Sequence, residues 1–179
     1  MKTFKRFLIE AKENLAPRDI DIKFCDYYRN VFNVASLDFY TWEKIYKDIN
    51  KNKFKKETYF KEYDKQLKFI EDNIKKYPYG LSYSASEVND VKTDYERAKR
   101  NYIIDFTLFD SIKVGEIQED AIKKLSKMLD NKDISKRFDP MSENEILYEI
   151  EKFKGQVKVR GAVDLYINFK DGKVVSKEF

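Results

Sequence analysis

The chain has 179 residues, 36 of them basic and 32 acidic, for a net charge of +4. It contains no histidine, which removes His-based triads, His-ligated metal sites and His general bases. A single cysteine, Cys25, excludes an internal disulfide and any multi-cysteine metal site, and five glycines leave no phosphate-cradling loop, so no cofactor is expected.

The length suits one domain, or one domain with an appendage. Fourteen Phe and 13 Tyr are enough to build a packed core, which argues against disorder. No apolar run reaches the roughly 18 residues of a membrane span, so no membrane partner is expected.

Residues 1–16 read as an amphipathic helix, with Phe4, Phe7, Leu8, Ala11 and Leu15 at helical spacing and Pro17 ending it. Glu10 interrupts the apolar stretch that a secretory signal needs, and Glu10 with Glu13 is too acidic for a mitochondrial presequence. Residues 18–25 alternate, with Ile20, Ile22 and Phe24 on one side, which predicts a short strand; residues 27–34 could add a helical turn or two. Ser36 reads as the N-cap of a helix carrying Phe39, Trp42, Ile45, Tyr46 and Ile49.

A basic knot follows at residues 51–56. The longest helical pattern runs from about residue 57 to 77, with Phe60, Tyr63, Leu67, Ile70 and Ile74 on one stripe and Pro78 and Gly80 as stops. After a loop, Ser86 is expected to cap a helix carrying Val88, Val91, Tyr95, Ala98 and Tyr102. Residues 101–112 fit either a strand or a continuation of that helix. Residues 117–129 form another amphipathic helix, and Ser142 with Glu145 reads as a capping box opening a helix that ends at Gly155.

The tail carries the cleanest β signal. Val157, Val159, Val163, Leu165, Ile167 and Phe169 share one face, and Asp171-Gly172 makes a two-residue hairpin turn. The expected fold is α+β, a mostly helical single domain with a small antiparallel sheet that includes a C-terminal β-hairpin. Whether that sheet has two, three or four strands is left open.

Several residue groups are candidate sites, and each has a plainer reading. Lys51, Lys53, Lys55 and Lys56 around Phe54 could hold phosphates with a base on the ring; a solvated loop with one anchored aromatic is the simpler account. Lys92, Arg97, Lys99 and Arg100 could line a nucleic-acid face, but Asp94 and Glu96 offer helical charge pairs instead. The loop at residues 77–83, with Tyr77, Tyr79 and Tyr83, suits partner contact because tyrosines bring area at low entropy cost; equally, such loops cover cores.

Glu143-x-Glu145 and Glu149-x-Glu151 match one step of ADP-ribosyltransferase chemistry. Ser82-Tyr83-Ser84 is a poor stand-in for the strand those enzymes also need. Asp164 lacks the Glu-x-Lys step of a metal-dependent nuclease on the strand after it, so it reads as a solvent-facing strand residue, and Cys25 reads as a small buried hydrophobe. No catalytic residues and no metal ligands are assigned.

The extreme N-terminus carries the one specific pattern. Met1-Lys2-Thr3-Phe4-Lys5-Arg6-Phe7-Leu8-Ile9-Glu10-Ala11 has Met-Lys-Thr, an aromatic, two polar residues, Phe, an aliphatic, any residue, then Glu and a small residue. This resembles the capsid-targeting sequence of internal head proteins in T-even-type bacteriophages. The resemblance covers residues 1–11 only.

It implies a route. Met1, Lys2, Thr3, Phe4, Phe7 and Leu8 would target the precursor to the phage scaffold core, the stripe Phe4, Phe7 and Leu8 docking by helix-in-groove contacts. The prohead protease would cut at Leu8-Ile9-Glu10, before Ala11, removing the propeptide 1–10 and leaving a domain of residues 11–179. Other Leu/Ile-x-Glu steps, at 117–119 and 147–149, are followed by Asp120 and Ile150, which are not small. The mature protein would lie inside the phage head and then enter the host cytoplasm with the DNA. Family members delivered this way include inhibitors of host defence enzymes and head components of no known activity.

Cleavage removes Lys2, Lys5, Arg6 and Glu10, so the net charge falls from +4 to +2. That is too little for a DNA condenser, and weak or no nucleic-acid binding is expected. A non-enzymatic inhibitor of a host defence protein is the reading these features favour. The alternatives are a structural virion component (head, neck or baseplate) that keeps its N-terminal helix, and a nucleic-acid-binding protein using residues 51–56 and 92–100.

Overall fold

A computed structural model describes residues 15–36, 39–51, 53, 55–131, 135–139, 144–161 and 163–179. Residues 1–14, on which the expected targeting and cleavage pattern falls, lie outside them. Among the described residues there are five helices: α1 (Arg18–Ala35), α2 (Phe39–Asn50), α3 (Lys56–Lys76), α4 (Ala85–Ser111) and α5 (Gln118–Leu129). Six strands follow: β1 (Lys136–Asp139), β2 (Asn144–Leu147), β3 (Glu149–Phe153), β4 (Gln156–Arg160), β5 (Leu165–Lys170) and β6 (Lys173–Glu178). The fold is thus α+β and mostly helical, with its C-terminal hairpin in place. The contacts divide the chain into two compact units, Met1–Ser36 with Glu57–Glu96 and Leu37–Lys56 with Arg97–Phe179.

The first unit is helical. Phe24, Tyr28, Val31 and Val34 of α1, Phe60, Leu67, Ile70 and Ile74 of α3, and Val88, Val91 and Tyr95 of α4 form its core. The strand expected at residues 18–25 is instead the start of α1. Of the alternating residues only Phe24 is buried, while Ile22 is 55% exposed. The spacing of three and four from Phe24 through Tyr28, Val31 and Val34 extends over the whole helix and outweighs a short alternation. Pro17 stands at the N-cap, and Asp19 and Asp21 sit in the first turn, where negative charge complements the helix dipole.

Two expected caps move as well. Ser36 closes α1 rather than opening α2: its N–H donates to the Phe32 carbonyl at 2.7 Å. The cap of α4 is Ser84, not Ser86. The Ser84 N–H donates to the Glu87 carboxylate at 2.7 Å and the Glu87 N–H donates back to the Ser84 hydroxyl at 3.3 Å, a capping box two residues before the expected cap. The same Ser84 hydrogen bonds hold the Glu87 carboxyl below its ordinary value.

The second unit packs α2, the rest of α4, and α5 with the strands. Residues 101–112 resolve as helix up to Ser111. The helix expected over 142–155 is absent from the described part of that stretch: Glu145 lies on β2, Glu149 and Glu151 on β3, and Ser142 lies outside the described residues. Ile146, Tyr148 and Ile150 in fact alternate with exposed neighbours, a period of two that the capping-box match obscured. Gly155, expected to end a helix, instead turns β3 into β4 with φ of 77°.

β1 and β2 pair antiparallel, and β3-β4-β5-β6 form a second antiparallel sheet in chain order. Val157, Val159, Leu165, Ile167, Phe169 and Val174 line its buried face. Asp171 (φ 52°) and Gly172 (φ 74°) make the β5–β6 turn, the left-handed pair that a two-residue hairpin requires. Residues 115–118 run along the start of β6: the Gly115 N–H donates to the Val174 carbonyl at 2.8 Å and the Val174 N–H to the Glu116 carbonyl at 2.9 Å, which covers that edge. Lys177 donates to the carbonyls of Phe109 and of Ile112, satisfying the C-terminal end of α4. Burial pushes the Lys177 amine below its ordinary value.

Candidate functional site

The aromatic loop at residues 77–84 is held from three directions within the first unit. Asp21 of α1 accepts both the Ser82 N–H and the Ser82 hydroxyl, each at 2.8 Å. The Tyr83 ring stacks on Tyr28 with centroids 3.7 Å apart and planes 13° from parallel. At Gly80, the backbone of Leu15 and Ala16 passes so close that a Cβ there would lie 2.2 Å from the Ala16 nitrogen. Glycine is the residue that permits such an approach.

These anchors sort the three tyrosines. Tyr83 is spent on the stack. Tyr77 is half-buried, with the Lys76 amine 5.0 Å from its ring centre. Tyr79 is 73% exposed at the tip. An aromatic displayed on a loop already fixed in place needs little ordering when it meets a partner, which is what makes tyrosine effective at interfaces.

The basic groups fare differently. Lys51, Lys53 and Lys55 are exposed after α2, whereas Phe54 and the side chain of Lys56 lie outside the described residues. On α4, Lys92 pairs with Glu71 at 2.7 Å, and Arg100 donates to the Lys136 carbonyl at 3.0 Å. These cations, expected to line a nucleic-acid face, are therefore engaged within the protein.

The acidic candidates are also committed. Glu151 is held by Arg160 at 2.6 Å, and Asp164 by Lys158 at 2.8 Å, so Asp164 is an ion-pair member rather than a bare solvent-facing acid. The Glu149-x-Glu151 step is on a strand, Glu143 lies outside the described residues, and Cys25 is half-buried with its sulfur 3.9 Å from Asp21 Oδ1. Cys25 is therefore not the fully buried hydrophobe expected. Among the described residues no group of His, Cys, Asp and Glu could hold a metal, and no helix is long and apolar enough to cross a membrane.

One polar constellation escapes sequence reasoning. Asp105, 2% exposed on α4, accepts the phenol of Tyr46 (α2) at 2.8 Å and that of Tyr148, just before β3, at 2.9 Å. Gly161 closes over it: a Cβ there would sit 2.7 Å from Asp105 Oδ1. Burial, reinforced by the Asp105 charge and its hydrogen bonds, raises both phenols well above their ordinary value, so they remain protonated donors. A closed carboxylate holding two phenols fixes α2, α4 and the approach to β3 relative to one another. It leaves no reactive group facing solvent.

The one sequence signal for it was an acid, Asp105, on the same stripe as Asn101, Tyr102, Leu108 and Ile112, all of them buried. No protein-family model, curated protein or solved structure matches this chain.

Proposed function

We propose that this chain is a bacteriophage internal head protein that acts by binding rather than by catalysis. The observation that carries the reading is the N-terminal pattern from Met1 to Ala11, with Leu8-Ile9-Glu10 placed for cleavage. In this reading the precursor joins the scaffold core, the prohead protease removes residues 1–10, and residues 11–179 enter the host cytoplasm with the DNA. There the protein inhibits a host defence protein.

The pinned loop supports a binding role, because Tyr79 is offered to solvent by a framework that needs no further ordering. The low net charge of the product, +2, goes with weak or no nucleic-acid binding.

A structural virion component that keeps its N-terminus is the second reading. The seat of Leu15 and Ala16 against Gly80 fits it, and fits the first reading equally, since both residues persist after a cut at Glu10.

Mass spectrometry of the protein from purified virions separates them. An N-terminal peptide beginning at Ala11 is expected. A chain beginning at Met1 would favour the structural component, and absence from virions would remove both. Capture of a host protein by residues 11–179, lost on Tyr79→Ala, tests the binding role.

A further inference from the structure

The outward face of the β3–β6 sheet carries an ordered polar grid. The strand registers align two rows across all four strands. One row is Phe153, Gln156, Asn168 and Ser176; the next is Glu151, Lys158, Tyr166 and Glu178.

The first row is uncharged and linked. The Gln156 amide donates to the Asn168 side-chain oxygen at 2.7 Å, and the Asn168 amide donates to the Ser176 hydroxyl at 3.0 Å. Donation therefore runs one way, from β4 to β6. It leaves the Ser176 hydroxyl hydrogen, the Gln156 carbonyl oxygen and one further N–H on each amide for other partners. Phe153 closes the row at the edge strand with its ring 55% exposed.

The second row is neutralised from within. The Lys158 side chain is only 19% exposed, paired with Asp164 at 2.8 Å and lying 5.8 Å from the Tyr166 ring centre. Glu151 is held by Arg160 at 2.6 Å.

We propose that this face binds a neutral, hydroxyl-rich oligosaccharide. Strands lie about 4.8 Å apart, so the uncharged row spans about 14 Å, a length suited to a short run of sugar rings. Each ring offers hydroxyls that both donate and accept, as the amide–amide–hydroxyl row does. A sugar also has a C–H face that packs on an exposed aromatic ring such as Phe153.

Charge argues against a polyanion. On the outward face Lys158 and Arg160 are engaged by carboxylates, and the exposed Lys170 and Lys173 at the turn end are matched in number by the exposed Glu149 and Glu178, so phosphates would meet no net cationic surplus there. Area argues against a protein partner, whose contact would need an apolar centre where this face supplies one exposed ring. The proposal does not depend on the role proposed for the Tyr79 loop.

The test is a glycan array of neutral and acidic oligosaccharides probed with the full chain, followed by calorimetry on the strongest neutral ligand. Binding of a neutral oligosaccharide is expected, unchanged between low and high salt and weakened roughly tenfold or more by Phe153→Ala and by Asn168→Ala. Phe153 is exposed at a strand end, so its variant keeps the fold; circular dichroism checks the Asn168 variant. Retention of no neutral glycan, a preference for acidic glycans or single-stranded nucleic acid that salt abolishes, or binding indifferent to Phe153→Ala would each overturn the proposal.

Discussion

A buried cluster in the second unit and a surface loop in the first use tyrosine in opposite ways. In the second, Tyr46 and Tyr148 turn their hydroxyls inward onto one buried carboxylate, and the phenol serves the architecture. In the first, the framework around Asp21, Ser82, Tyr28 and Tyr83 is spent on holding a loop whose tip presents Tyr79 to solvent. Tyrosine has an apolar body and a polar tip, so one residue type serves both ends. Which end it serves depends on whether a partner for the hydroxyl lies inside or outside the fold. Removing the shared acceptor in one unit should therefore damage stability, and removing the displayed ring in the other should damage only recognition.

The largest effect is expected at Asp105. Asp105→Leu strands two buried phenols without their acceptor and should cost about 3–5 kcal/mol in a urea titration, the usual scale for breaking a buried charged pairing from one side. Tyr46→Phe or Tyr148→Phe each removes one charge-assisted hydrogen bond and should cost about 1.5–3 kcal/mol. The double variant should depart from additivity because both act through the same carboxylate.

The same geometry sets an alkaline limit. Both phenols are raised in the folded state above the ordinary value of 10.0, so their contribution is intact below that value. Above it the unfolded chain loses phenolic protons that the folded chain keeps, and stability falls as pH rises. Tyr148→Phe should make the decline between pH 10 and 12 shallower; an unchanged slope would place the ionising groups elsewhere.

A smaller effect should follow from Gly80→Ala. The added methyl would meet backbone, not a flexible side chain, so the chain at residues 15–16 must move. A cost of about 1–3 kcal/mol is expected, as for overpacking in general. Amide exchange should become faster at Leu15, Ala16 and residues 79–82 and stay unchanged at Asn101 and Leu108. Equal protection in the variant and the parent would show that residues 15–16 do not brace the loop.

Much of this architecture was legible from the chain, for reasons that particular residues make plain. The stripe from Phe60 to Ile74 and the row from Val157 to Phe169 are long, with few competing signals, and Asp171-Gly172 is a turn whose backbone angles few other pairs adopt. The failures at residues 18–25 and 142–155 share a cause. In both, a short local signal (an alternation of three apolar residues, one capping box) competed with a weaker period spread over a longer segment, and packing followed the longer one.

The Tyr46–Asp105–Tyr148 contact was hidden because its members are 59 and 43 residues apart and no local spacing links them. Within the aromatic loop, composition alone marks three equivalent tyrosines. Only the stack on Tyr28 and the close pass at Gly80 make Tyr83 internal and Tyr79 external.

That last distinction yields the smallest effect on stability and the sharpest one on function. Tyr79→Ala removes an exposed ring with no buried contact to lose and should change the unfolding free energy by less than about 0.5 kcal/mol, as surface substitutions do. Tyr83→Ala, by contrast, deletes a ring stacked at 3.7 Å and should cost about 1–3 kcal/mol, through lost aromatic packing and lost area. If Tyr79 is the contact for a host protein, its alanine variant should capture that protein at least tenfold less well while melting with the parent chain. The Tyr83 variant should lose capture only to the extent that its loop loosens, and Tyr83→Phe, which keeps the stack, should restore it. Equal capture by Tyr79→Ala and the parent would move recognition off this loop, and a melting point lowered as far as that of Tyr83→Ala would mean that Tyr79 is structural after all.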